Sequence, residues 1–74
     1  MFAYILINVL DDEQGVQRAL ENLAPVKEVH ILFGEWDLIA KVEMDAPEAL
    51  SGFVMEKIRC MENVKVTSTL IVAK

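Results

Sequence analysis

Cysteine, proline, glycine and positive charge are all scarce in this chain of 74 residues. Cys60 stands alone, so neither an internal disulfide nor a thiolate metal cluster can form. Two prolines and three glycines, widely spaced, are too few for a flexible linker or a low-complexity segment. Seven basic residues against twelve acidic ones leave a net charge of −5, the wrong sign for a general nucleic-acid surface. No stretch approaches the roughly eighteen uncharged apolar residues of a membrane-spanning helix. The apolar run at residues 2–10 lacks the basic flank and small-residue ending of a secretory signal. The cytoplasm is therefore the expected compartment.

Apolar residues are abundant instead, at 54% of the chain. That excludes intrinsic disorder. A chain of this size folds into one small domain, expected over 1–74, that buries only about 60% of its unfolded surface. So many apolar residues exceed the needs of one small core, and the surplus points to a second copy of the chain as partner.

Phe2 to Leu10 is a run of aromatic, aliphatic and β-branched residues that reads as a strand. Asp11 and Gln14 have the spacing of a capping box, and Val16, Ala19, Leu20, Leu23 and Ala24 then form one helical face ended by Pro25. Val26–Phe33 and Trp36–Met44 read as two strands joined by a hairpin at Gly34-Glu35. Asp45, Pro47 and Glu48 announce a second helix, with Asp45 as cap. Its buried face is Leu50, Phe53, Val54, Ile58 and Met61. Gly52 inside it reads as a point of close approach, and Asn63 as a left-handed helix end. Val64–Ala73 is the last strand.

The order β-α-β-β-α-β defines an α+β, ferredoxin-like sandwich, a four-stranded antiparallel sheet with two helices on one face. The uncovered face of such a sheet is polar in a monomer. Here Phe2, Tyr4, Leu6 and Leu10 alternate with Ala3, Ile5, Ile7 and Val9, so both faces of the first strand are apolar. The last strand repeats this, with Val64, Val66, Leu70 and Val72 set against Ile71 and Ala73. Pairing through the sheets in a two-fold dimer, as in dimeric α/β barrels, follows.

Few residues offer chemistry. His30 has no partner motif for a metal, and no metal or cofactor is expected. Cys60 reads as a small buried hydrophobe; Met44, Met55 and Met61 read as core or interface filler. Gly34-Glu35-Trp36-Asp37 is either a turn with a packing aromatic or a site where a backbone approaches a ligand beside a carboxylate. Thr67-Ser68-Thr69 interrupts an apolar strand, either at its rim or as hydroxyls lining a pocket with Ile71. An enzymatic alternative, a small dimeric α+β-barrel oxygenase or isomerase without cofactor, requires Asn8, His30 and Trp36 to converge in one cleft.

AYILINV at 3–9, FGEWDLIAKVEMD at 33–45 and VKVTSTLIV at 64–72 resemble the ligand-binding (RAM) domain of the Lrp/AsnC transcription regulators, over essentially the whole chain. The glycine–any–aromatic–Asp segment with Thr-any-Thr in the last strand is the specific part of the likeness. The resemblance implies a non-enzymatic domain that pairs through its sheet, assembles into octameric or decameric rings and binds an effector amino acid between dimers. It places Gly34 and Glu35 as backbone donors, Trp36 at the family's aromatic position and Asp37 against the ligand ammonium. Thr67, Thr69 and Ile71 would contact the ligand from a neighbouring chain. Such regulators carry an N-terminal helix-turn-helix, whereas this sequence opens on the first strand. A stand-alone form without direct DNA or membrane binding is therefore expected, acting by co-assembly with a full-length relative.

Overall fold

The computed structural model describes residues 1–74. Strand β1 (Phe2–Val9) leads to α1 (Glu13–Glu21), β2 (Val26–Ile31), β3 (Leu38–Glu43), α2 (Pro47–Phe53) and β4 (Val64–Ile71). A π-helical turn, Val54–Ile58, continues α2. All neighbouring strands are antiparallel, in the order β2-β3-β1-β4. This is the ferredoxin-like arrangement expected from the element order.

Alternation along the central strands selects the core. Ala3, Ile5 and Ile7 of β1 stand opposite Val42, Ala40 and Leu38 of β3, and all six are buried. Val16 and Leu20 of α1, with Leu50 and Val54 of the second helix, close over them. All 13 buried residues are hydrophobic. The accessible surface of 4848 Å² is close to the roughly 4,600 Å² that mass scaling gives a chain of this size. Notably, β4 contributes no residue to the buried set.

The expected element ends shift where local hydrogen bonds compete. Asp12, not Asp11, caps α1: it takes a left-handed backbone (φ 58°) and its Oδ1 accepts from the Gly15 amide at 3.1 Å. Asp11 instead accepts from the Asp12 amide at 2.8 Å. Helix α2 has Ala46, not Asp45, at its N-cap and no side-chain cap. Pro47 forces the residue before it into an extended conformation, so Ala46 is the boundary (φ −150°, ψ 152°). Asn63 is not left-handed. The Arg59 amide bonds to Val54 O at 2.8 Å and the Met61 amide to Ile58 O at 3.0 Å, so the helix end closes on itself. No atom beyond the local chain lies within 4 Å of a Cβ placed on Gly52, so no close approach occurs there. Cys60 is exposed rather than buried, its thiol donating to Glu56 O at 2.8 Å. The buried row 50-54-58 turns residue 60 away from the core.

Gly15 is required by the α1 cap, because a Cβ there would run into the Asp12 carboxylate. Gly15→Ala is therefore expected to expel the capping oxygen at a cost of about 0.5–2 kcal/mol, although alanine is the better helix former. Thermal melts should show a lower Tm, by about 4–8 °C per kcal/mol. Asp12→Ala should lower it similarly, and the double variant little further. A Gly15→Ala protein that is more stable than the parent would show that the cap is not maintained.

The other side of the sheet carries no helix. Tyr4, Leu6, Ile39, Leu70 and Val66 share it with Asn8, Lys41 and Ser68, as the registers Tyr4↔Lys41, Tyr4↔Leu70, Leu6↔Ile39, Leu6↔Ser68 and Asn8↔Val66 require. Phe2, Val66 and Leu70 are 39%, 47% and 50% exposed. Lys41 lays its Nζ 4.6 Å from the Phe2 ring centre, extending the apolar surface with its stem. The expected alternation ends at a register shift between Asn8 and Val9, so Leu10 lies beyond the regular part of this face.

Candidate functional site

Strand β4 lies at the sheet edge and its helix-side residues do not behave like those of the other strands. The register Ile7↔Thr67, Ile5↔Thr69 and Ala3↔Ile71 puts Thr67, Thr69 and Ile71 on the side that elsewhere forms the core. They line a cavity of about 300 Å³ instead. Its opposite wall comes from α2 and the π-turn, with Leu50, Val54 and Met55 as the apolar part. Ser51 and Arg59 add a hydroxyl and a guanidinium. The space is partly enclosed, mostly apolar and carries a few polar groups, which is the composition of a small-ligand site.

Three of the seven expected site residues thus converge, on one strand. The other four occupy the β2–β3 hairpin, whose strands are shorter than the sequence suggested: β2 stops at Ile31 and β3 starts at Leu38. Gly34 provides the positive φ of 132° at the turn. Glu35 is exposed, Trp36 and Asp37 are half-buried, and Phe33 stands wholly in solvent at 108% relative exposure. Asp37 does defined structural work. Its Oδ2 accepts from the Val9 amide at 2.9 Å, where the β1 ladder breaks. Its own amide donates to Ile7 O at 3.0 Å and to Asn8 Oδ1 at 3.1 Å. The Leu32 amide donates to Asp37 O at 2.8 Å and closes the hairpin. A carboxylate that satisfies a backbone amide in this way contributes about 1.5–3 kcal/mol.

Asp37 and Thr67 lie on opposite flanks of β1, two strand spacings or roughly 9–10 Å apart. Thr67 faces the helix side, whereas Asn8, which bonds Asp37, faces the open side. Within one protomer the hairpin and the β4 hydroxyls are therefore two separate clusters. Asn8, His30 and Trp36 line neither this cavity nor the smaller one beside α1. His30 sits exposed on β2, opposite Ile39.

The α2 wall was not legible as part of a site. Leu50 and Val54 read as core and Met55 as filler, and Arg59 carried no signal of its own. The usable clue was a second stripe, Ser51, Met55 and Arg59 at intervals of four, beside the core stripe Leu50, Val54 and Ile58.

The strand order and the two helices define a ferredoxin-like domain with a cavity between β4 and α2. The chain belongs to the Lrp/AsnC ligand binding domain family, whose model matches residues 3–74. An uncharacterized HTH-type transcriptional regulator of Pyrococcus abyssi is 37% identical over 73 residues, covering 93% of this chain and 49% of the relative. The chain thus spans about half the length of the curated relatives it matches. The crystal structure of FFRP-DM1 is 40% identical with a TM-score of 0.89, and 96% of each chain is covered. A transcriptional regulator of Neisseria meningitidis, solved as a complex with L-Met, shares the fold at a TM-score of 0.89 with 20% identity, over 99% of this chain and 49% of that one. The curated relatives are named as transcriptional regulators, and this chain matches the ligand binding domain of that regulatory family. No helix-turn-helix occurs in the 74 residues, whose two helices are separated by the β2–β3 hairpin. No helix is long and apolar enough to cross a membrane.

Proposed function

We propose that this chain is a non-enzymatic, amino-acid-binding regulatory module that works as an oligomer in the cytoplasm. The observation that carries the reading is the exclusion of Thr67, Thr69 and Ile71 from the core, although they occupy core-side positions of β4. Threonine hydroxyls both donate and accept, so they suit a zwitterionic ligand whose apolar side chain rests on Leu50, Val54 and Ile71. The L-Met complex of the meningococcal regulator is a precedent for this ligand class on this fold.

Two copies pair through the apolar open face of the sheet, and dimers join into a ring of eight or ten chains. In the ring, the exposed hairpin of one protomer meets β4 of another. That contact adds Gly34, Glu35, Trp36 and Asp37 to the cavity, with Asp37 near the ligand ammonium, and reunites the two clusters that one protomer keeps apart. A ligand that binds only the assembled site shifts the equilibrium between assembly states. The module acts on transcription by co-assembly with other regulators of the family.

Calorimetric titration with the twenty amino acids, together with sedimentation velocity, tests this. At least one amino acid is expected to bind and to change the sedimentation distribution. The double substitution Thr67→Val, Thr69→Val keeps the shape of both side chains and should weaken that binding by about tenfold or more. Absence of binding by all twenty, with an unchanged distribution, would rule the proposal out.

A further inference from the structure

Of the nine residues that line the cavity under α2, Arg59 alone is charged. The chain around it carries a net charge of −5. A lone cation among apolar and hydroxyl walls, in a protein that repels anions overall, marks one point of the cavity for a negative group. The Arg59 amide bonds to Val54 O, five residues earlier, at 2.8 Å, closing the π-helical turn. Arg59 follows Ser51 and Met55 at intervals of four on the cavity side, while Ile58 keeps its place in the core.

We propose that Arg59 recognises the carboxylate of the ligand, and that the cavity takes a free amino acid rather than the end of a peptide. This rests on the reading of the cavity as the ligand site. The planar guanidinium matches a carboxylate with two parallel hydrogen bonds. Thr67 and Thr69 are then left for the second polar group of the ligand, and Leu50, Met55 and Ile71 for its side chain. At about 300 Å³ the cavity lies at the bottom of the range of about 300–1,000 Å³ for ligand pockets, which suits one amino acid better than the end of a peptide.

The test compares L-leucine, L-isoleucine and L-methionine with their carboxamides, and with Gly-Gly-L-leucine, by calorimetry on the full chain. The parent protein is expected to bind at least one acid about tenfold or more tightly than its amide, and more tightly than the tripeptide. Arg59→Gln should abolish the preference, so that acid and amide bind alike, and Arg59→Lys should restore part of it as a point charge without the fork. Arg59 is exposed, so both variants should retain the parent circular dichroism spectrum. An Arg59→Gln protein that still prefers the acid would overturn the role of Arg59 and leave the ligand site standing. Equal binding of tripeptide and free amino acid would overturn the selection of a free ligand. Failure of the parent to bind any of the three acids would overturn both the inference and, if it extends to all twenty amino acids, the site itself.

Discussion

Leu70→Glu is expected to reduce the assembly to single folded chains. Leu70 is half-exposed on edge strand β4, opposite Tyr4, so the protomer loses little when a carboxylate replaces it. In a sheet-to-sheet dimer the same position is covered, and the cation of this face, Lys41, lies two strands away across Tyr4 with its Nζ over the Phe2 ring. Burying an unpaired charge costs about 3–5 kcal/mol, and a two-fold interface counts the change twice. With every 1.4 kcal/mol worth a factor of ten, dimer affinity should fall by more than about 1,000-fold. Sedimentation velocity at micromolar concentration should move to the single-chain mass, while circular dichroism remains that of the parent. Leu70→Ala, which removes apolar area without adding charge, should give a smaller shift. Unchanged sedimentation of Leu70→Glu would show that the open face is not where copies meet.

This surface was legible in the sequence because alternation has a period of two and β1 and β3 obey it. Once Ile5 and Leu38 are assigned inward, Tyr4, Leu6 and Ile39 must point outward, and no helix remains to cover them. Helix starts were less legible. Asp11, Asp12 and Asp45 all have the chemistry of a cap, and the choice among them is made by backbone conformation. Gly15 leaves room for the Asp12 carboxylate, and Pro47 fixes Ala46 as extended. The β4 hydroxyls were visible as an anomaly, but the sequence does not tell whether Thr67 and Thr69 meet solvent, core or cavity. That depends on how far α2 stands from the sheet. Arg59 was invisible for a related reason. The stripe Ser51, Met55 and Arg59 is regular, but whether it meets solvent or a cavity depends on that same spacing between α2 and the sheet.

Two adjacent residues of β3 separate the energetics of the protomer from those of the assembly. Leu38 is fully buried between Ile7 and Ile31, whereas Ile39 points to the open face between Leu6 and His30. Leu38→Ala leaves a cavity in a small core and should cost about 2–5 kcal/mol. A chain of this length has only about 4–11 kcal/mol of stability in total, by the usual range per residue. The expected loss in Tm is therefore at least about 10 °C, present at every protein concentration. Sedimentation at low temperature, where the variant is still folded, should match the parent, because the open face is intact. Ile39→Ala removes side-chain area that only the partner sheet can cover fully. It should weaken dimerisation by roughly tenfold, and its smaller Tm deficit should shrink on dilution as the parent dissociates too. If Ile39→Ala in a fully dissociated sample lost as much Tm as Leu38→Ala, Ile39 would belong to the protomer core and the open face would lose its central residue. If instead the two effects separate with concentration as described, the alternation of β3 divides the work of one strand between folding and assembly.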